Sequence, residues 1–403
     1  MIYFLFYLHF YHGQERCVCC SRVAHSDCFN GLLSPLKASE LGSVVIKEIL
    51  KRSAVDGHDI DEVIIGQALT AGQGQNPARQ AALKAGLPIT VPAYNINMLC
   101  GSGIKSVSLG FQSIRSGDSQ IVVCGGQESM SQAPHIMHLR QGLKIGNGSV
   151  VDTLLHDGLN DAMNNIHMGV TAENLAKEYN ISREEQDKYA VRSQNLAESA
   201  QKNGYFDREI VPVEVCNRKG VVKVEKDEYI KSGVELAGLQ KLRPCFIDNG
   251  TVTPGNASGI NDSAAAVLLM SAAEIQKRDL KPLAKIIAWA QTGVEPTIMG
   301  IGPVSAVEAV LLKAGWTKDE VDLFELNEAF AAQSLTVLKC LKIDLNKVNV
   351  NGGAIALGHP LGASGTRILV TLLYALKRTG GKKGVAGLCI GGGMGIAMAV
   401  ECV

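Results

Sequence analysis

Charge of either sign is not in excess in this sequence: 39 Lys and Arg balance 39 Asp and Glu in 403 residues. No basic face large enough to hold a nucleic-acid backbone is implied and no acidic tail, so polyanion binding is not the default function. A repeated cysteine interval is missing as well. Eleven cysteines form an odd set in a chain too large to need staples, which argues against a disulfide framework and for free thiols in a reduced, cytoplasmic setting. Four of them, Cys17, Cys19, Cys20 and Cys28, lie near His25, but without a second pair at finger spacing they make a poor metal site. The opening "MIYFLFYLHF" falls short of the ~20 residues of a membrane span and lacks the basic lead-in of a signal peptide. No Arg-rich transit segment follows, and the final "AVECV" is no peroxisomal address. "GGGMGIAMAVE" fails the G-x-G-x-x-G pattern and continues as a strand, which argues against a Rossmann dinucleotide site.

What is present is a large apolar fraction, 46%, in a chain long enough for two or three domains with real cores. Its 43 glycines exceed the usual ~7%. They cluster in "CGSG", "NGGAIALGHPLGASG" and "CIGGGMG", where backbone must approach something closely. The chain is also written twice. "ILKRSAVDGHDIDEVIIGQAL" aligns with "LLKAGWTKDEVDLFELNEAF", pairing Asp61 with Asp322, Gly66 with Asn327 and Leu69 with Phe330. Further on, "CGSG" falls opposite "GASG", each followed by an amphipathic helix and a short apolar run. Two copies of one α/β unit are expected, with strands alternating with helices. Between them, from Ser129 to about Gly259, the composition turns polar, with a helix over Ser182 to Lys202 and a charged hairpin in "NRKGVVKVEKDEY". That stretch reads as an insertion covering a site.

Four residues are candidates for the chemistry. Cys100 precedes Gly-Ser-Gly where an apolar run gives way to a helix; it is either a buried thiol or a nucleophile at a helix N-terminus, where the dipole and free N–H groups favour thiolate. His359 lies between Gly358 and Pro360. The repeat sets its turn level with the residues just before Cys100, so two equivalent turns would bring imidazole and thiol together, the arrangement that activates a cysteine. Cys389 ends the apolar run "KGVAGLCIGGG"; it is either a small buried hydrophobe or the neighbour of glycine N–H groups that hold an oxyanion. Asn327, at the corner where the first copy has Gly66, either caps the following helix or belongs to the site.

Taken in order, "NMLCGSG", "HMGVTAEN", "NASGINDSAAAV", "NEAFA", "GGAIALGHPLGASG" and "CIGGGMG" resemble the thiolase family, from about Phe29 to the C-terminus. The resemblance implies an α/β fold of duplicated thiolase-like domains in five layers, αβαβα, with an inserted loop domain. It places an atypical segment at 1–28, an N-terminal domain over 29–128 and 261–280, a loop domain over 129–260 serving as lid and coenzyme A site, and a C-terminal domain over 281–403. By the same resemblance Cys100 takes an acetyl group from acetyl-CoA with His359 accepting its proton, and Cys389 removes a methyl proton from a second acetyl-CoA. A thiol of reference pKa ~8.5 forms an enolate only if the oxyanion is held. His359 with a water oriented by Asn327 supplies one oxyanion hole; backbone N–H groups of Cys100 and Gly391 supply the other. His167, Met168, Phe246, Ser258, Ala329 and Phe330 match the pantetheine and acyl pocket, and the His-Met pair is similar to short-chain biosynthetic members. Acetyl-CoA, acetoacetyl-CoA and CoA are the implied partners, in a homotetramer with no metal, nucleotide or redox cofactor and no nucleic-acid or membrane partner.

Two rival readings stand beside this. A decarboxylating condensing enzyme would carry His or Asn where Cys389 stands, and an inactive thiolase-like binding partner would be consistent with the N-terminus. There the family's usual first strand is replaced by "CVCCSRVAHSDC" (Cys17 to Cys28); Cys17 to Ser21 is expected to fill the strand slot imperfectly, with Met1 to Gly13 outside the core.

Overall fold

The computed structural model describes residues 16–23, 26–27, 31–217 and 220–403; the leader Met1 to Gly13 and the side chains of the Cys17 to Cys28 cluster lie outside the described residues. Nine strands form the main sheet path: β1 (Arg16–Val23), β2 (Glu62–Gly66), β3 (Ala93–Ile96), β4 (Ile121–Ser129), β5 (Asn261–Met270), β6 (Ala284–Gly293), β7 (Leu323–Leu326), β8 (Lys383–Ile390) and β9 (Met394–Cys402). Their order is β7-β8-β9-β6-β1-β5-β4-β2-β3. The main helices are α1 (Ala38–Ser53), α2 (Pro77–Lys84), α3 (Ser102–Ser116), α4 (Met168–Glu178), α5 (Arg183–Lys202), α6 (Gly302–Ala314), α7 (Ala331–Leu341) and α8 (Leu361–Thr379).

The duplication read from sequence reappears as topology. In the first half β2 runs parallel to β3 and β4, while β4 and β5, and β5 and β1, are antiparallel. In the second half β7 runs parallel to β8, with β8 and β9, and β9 and β6, antiparallel. The aligned aspartates play one role twice. Asp61 Oδ2 accepts from Gln120 and Ile121 N–H at 2.6 and 2.8 Å, and Asp322 Oδ2 accepts from Lys382 and Lys383 N–H at 2.7 and 2.8 Å. Each precedes one strand and pins the entry of its parallel neighbour, Asp61 ahead of β2 holding β4 and Asp322 ahead of β7 holding β8.

Alternation along the strands sorts the core into layers, because successive side chains point to opposite faces. Val63, Ile65, Val123 and Leu268 pack with Leu41, Val45, Ile46 and Ile49 of α1. Their neighbours Ile64, Val122, Val267 and Leu269 pack instead with Ile104 and Val107 of α3 and with Ile368, Leu369 and Leu372 of α8. From the far side Ala386, Leu388, Ile396 and Met398 join that same central cluster, while Val385, Ala397 and Ala399 face Val307 and Val310 of α6. The result is helix, sheet, helix pair, sheet, helix: the five layers expected. A helix between two sheets has no solvent face, and every residue of α8 from Leu361 to Leu373 is buried. The apolar stretch Pro296–Ala314 is α6 and the turn before it, with Ala306, Val307 and Val310 buried against the second sheet.

β1 and β6 join the halves, paired antiparallel at Arg16 with Lys285 and Cys17 with Ala284. β1 does occupy the interior slot, and its pairing to β5 slips between Cys17 and Cys19, a bulge of the kind that bends a strand. The insertion carries α4, α5 and the hairpin Val213–Asn217 with Gly220–Val224. α5 starts where the sequence placed it: Ser182 caps it and Glu185 closes the capping box.

Candidate active site

The site forms where the N-termini of α3 and α8 meet. The two helices cross at Gly103 and Gly365, where an added Cβ would lie 2.5 Å from Thr366 N and 2.4 Å from Ile104 N respectively. Only glycine permits that approach, and it carries the two preceding turns to one place.

On the first turn Cys100 sits in a 3₁₀ segment, Leu99–Gly101, just before α3. Leu99 is held at φ 47°, a left-handed conformation that costs of order 1–3 kcal/mol in a side-chain-bearing residue. Two side chains hold it there. Asn97 Oδ1 accepts from Leu99 N–H at 2.9 Å; Ser102 Oγ accepts from Met98 N–H at 2.8 Å and donates to Leu99 O at 2.7 Å. On the second turn the backbone N–H of His359 donates to Gly259 O at 3.1 Å and Asn261 Oδ1 at 3.2 Å. Its ring is buried, with Nδ1 2.6 Å from Ser364 Oγ. Asn327 Nδ2 stands 3.4 Å from each ring nitrogen, and its buried Oδ1 has no protein partner among the described residues. Such an acceptor suits a water or a substrate donor. Asn327 does not cap the next helix; the N-cap of α7 is Phe330.

A cavity of about 210 Å³ opens here, lined by Cys100, His359 and Gly391 together with His167, Met168, Phe246, Ser258, Ala329 and Phe330. Cys389 and Asn327 are not on its wall. Cys389 is fully buried behind it, packed with Met168, Met299, Ala329 and Phe330. His167 stacks on Phe246 with ring centroids 4.7 Å apart, and Phe246 meets Phe330 edge-on at 6.0 Å. His167 Nδ1 accepts from Gly169 N–H at 3.0 Å, and burial lowers its pKa, so a neutral imidazole faces the cavity.

The electrostatics correct one expectation. Cys100 is partly exposed at the cavity, but protein surrounds its sulfur, and burial pushes the thiol up to about 11. The N–H groups of Gly391 and of Cys100 itself pull it down, and the Glu128 carboxylate raises it further. Burial thus favours the protonated thiol at neutral pH, against the thiolate that a helix N-terminus favours. Burial likewise raises the Cys389 thiol, with Cys100 adding to the rise.

Sequence reading missed several contributors. Leu155 and Leu159 reach the cavity from a π-helical turn, Leu154–Leu159, in the insertion; apolar residues in the otherwise polar "VVDTLLHDGL" were the available signal. Buried Glu128 accepts from Ala68, Leu69 and Gly362 N–H at 2.9, 3.1 and 2.8 Å, tying the first half to the N-terminus of α8. Burial pushes its carboxyl up to about 7 against those bonds. A lone acid ending the apolar run "IVVCGGQES" marked it. Ser364 carried no signal beyond its place five residues after His359.

Comparison with known proteins agrees with this geometry. Residues 17–273 match the family described as "Thiolase, N-terminal domain" and residues 280–402 match "Thiolase, C-terminal domain". The match thus begins earlier than Phe29 and includes β1. The mouse protein named "Acetyl-CoA acetyltransferase, cytosolic" is 57% identical over 375 residues, 93% of this chain and 94% of that protein. The Rhizobium meliloti acetyl-CoA acetyltransferase is 56% identical over 93% of this chain and 95% of that protein. Among solved structures, the Bacillus anthracis acetyl-CoA acetyltransferase superposes with a TM-score of 0.95 at 42% identity, covering 97% of this chain and 99% of that one. Human mitochondrial 3-ketoacyl-CoA thiolase in complex with CoA gives 0.92 at 42% identity, covering 97% and 98%.

Proposed function

The chain belongs to the thiolase family, and on that premise we propose that it is an acyltransferase joining two acetyl-CoA into acetoacetyl-CoA and CoA, and running the reverse thiolysis, through an acetyl-Cys100 intermediate. The observation that carries the reading is the single cavity walled by Cys100, His359 and the Gly391 loop, in a chain more than half identical to acetyl-CoA acetyltransferases.

Because Cys100 rests as a thiol, it needs a base as it attacks. His359 takes its proton while the sulfur adds to the acetyl carbonyl, whose oxyanion is met by the N–H groups of Cys100 and Gly391. Collapse breaks the bond to CoA sulfur. The departing thiolate takes a proton from Cys389, which is neutral at rest and becomes a thiolate only through this step. That thiolate removes a methyl proton from the second acetyl-CoA. Protonated His359 and a water held by Asn327 receive the enolate oxygen. The enolate carbon attacks acetyl-Cys100, and the released Cys100 sulfur regains its proton from His359, so the enzyme returns to its starting state. His167, Met168, Phe246 and Phe330 suit the narrow pantetheine arm and a short acyl group. The insertion serves as lid and coenzyme A domain over 129–260, between thiolase domains at 29–128 with 261–280 and at 281–403. We place the protein in the cytoplasm, as the mouse and rat relatives are named cytosolic, and read it as a homotetramer. Exposed Leu139, Leu143 and Ile145, at 51%, 52% and 95%, support assembly through the insertion.

The test is spectrophotometric: the purified chain should consume acetoacetyl-CoA when CoA is added, and Cys100→Ala should not. Turnover of malonyl thioesters alone would contradict the proposal.

A further inference from the structure

We infer that Ser364 fixes the tautomer of His359, leaving Nε2 as the nitrogen that accepts a proton from Cys100. This positioning role rests on the function proposed above.

Ser364 Oγ lies 2.8 Å from Pro360 O and 2.6 Å from His359 Nδ1. Each separation requires a hydrogen, since two bare lone pairs at either distance repel. A carbonyl oxygen only accepts, so the one hydroxyl proton of Ser364 lies on the line to Pro360 O. Nothing remains on Oγ to donate to the imidazole, and the hydrogen between Oγ and the ring therefore belongs to Nδ1. In neutral His359, Nε2 is then unprotonated. Asn327 Nδ2, at 3.4 Å from both ring nitrogens, favours neither tautomer. The arrangement is rigid: Ser364 is fully buried in the first turn of α8, and its own N–H also donates to Pro360 O at 2.9 Å.

The consequence is directional. Imidazole in water prefers its proton on Nε2, the form unable to take one from Cys100 at that atom. Nδ1–H held by a second group is what lets a histidine serve as base through Nε2, and in a serine hydrolase triad the wrong tautomer costs about 10⁴ in kcat. Loss of Ser364 frees the ring to interconvert rather than locking it wrongly. The expected loss is about 10-fold, below the 10²–10⁴ contributed by general-base catalysis as a whole.

Magic-angle-spinning NMR of ¹⁵N-histidine-labelled protein tests this, with the His359 signals assigned by their absence in His359→Asn. At a pH where His359 is neutral, Nδ1 should be pyrrole-like and Nε2 pyridine-like; the reverse pattern would overturn the inference. Ser364→Ala should lower kcat for thiolysis about 10-fold with KM for acetoacetyl-CoA little changed, and Ser364→Thr, which keeps the hydroxyl, should recover most of it. Wild-type kcat in Ser364→Ala would also overturn it. The spectrum needs no turnover, so an inactive wild-type chain would refute the functional reading while leaving the tautomer assignment standing.

Discussion

The Cys100 turn and the His359 turn occupy equivalent positions in the two halves, yet they are built in opposite ways. The first is strained and open, with Leu99 in a left-handed conformation and the thiol at a cavity wall. The second is relaxed and enclosed: His359 is 6% exposed, bonded through its backbone N–H and through Nδ1. The scaffold that places them is symmetric, down to Asp61 and Asp322 pinning matching strands. The difference teaches that duplication supplies position while local departures supply chemistry. In the proposed reaction the nucleophile must reach the substrate, whereas its base must hold one orientation and one tautomer.

The largest break in the comparison is removal of the open half's reactive group. Cys100→Ala should abolish thiolysis and condensation together, a loss of several powers of ten, measured from the acetoacetyl-CoA signal; residual condensation would place the nucleophile elsewhere. Next comes the crossing that makes the turns neighbours. Gly365→Ala sets a methyl against Ile104 N and should destabilise the fold by at least about 1–3 kcal/mol, as overpacking does, seen as a lower melting temperature with reduced activity. An unchanged melt would mean that the helices do not rely on this contact.

A smaller effect sharpens the electrostatic contrast. Below a thiol pKa of about 11, the thiolate fraction of free Cys100 rises about tenfold per pH unit. Its iodoacetamide labelling rate should therefore climb steadily from pH 7 to 10, by peptide mapping, instead of levelling near neutrality. A plateau below pH 8 would show that the helix N-terminus and His359 overcome burial. The smallest effect tests the symmetry itself: Asp61→Ala and Asp322→Ala each lose hydrogen bonds to two N–H groups and should cost about 1 kcal/mol. The two melting temperatures should fall alike.

The duplication and the meeting of Cys100 with His359 were legible in the sequence because both are written as local patterns: aligned motifs, and glycines at helix starts. The raised thiol pKa was not, since it depends on α8 being enclosed between two sheets whose strands are far apart in the chain. Glu128 escaped because its partners are backbone groups that no motif encodes, and Ser364 because its contact with the His359 ring follows only from how the turn before α8 folds. β1 shows the converse. "RCVCCSRV" has little strand character, yet β5 and β6 offer hydrogen bonds to any backbone lying between them, and the slot is filled.

The central claim is that two thiols divide the chemistry, Cys100 carrying the acetyl group and Cys389 moving the proton. Intact-mass analysis of Cys389→Ala mixed with acetyl-CoA, followed by peptide mapping, tests it most directly. The account predicts one acetyl group on Cys100 and no acetoacetyl-CoA; an unlabelled protein, or an acetyl group on another residue, would contradict it.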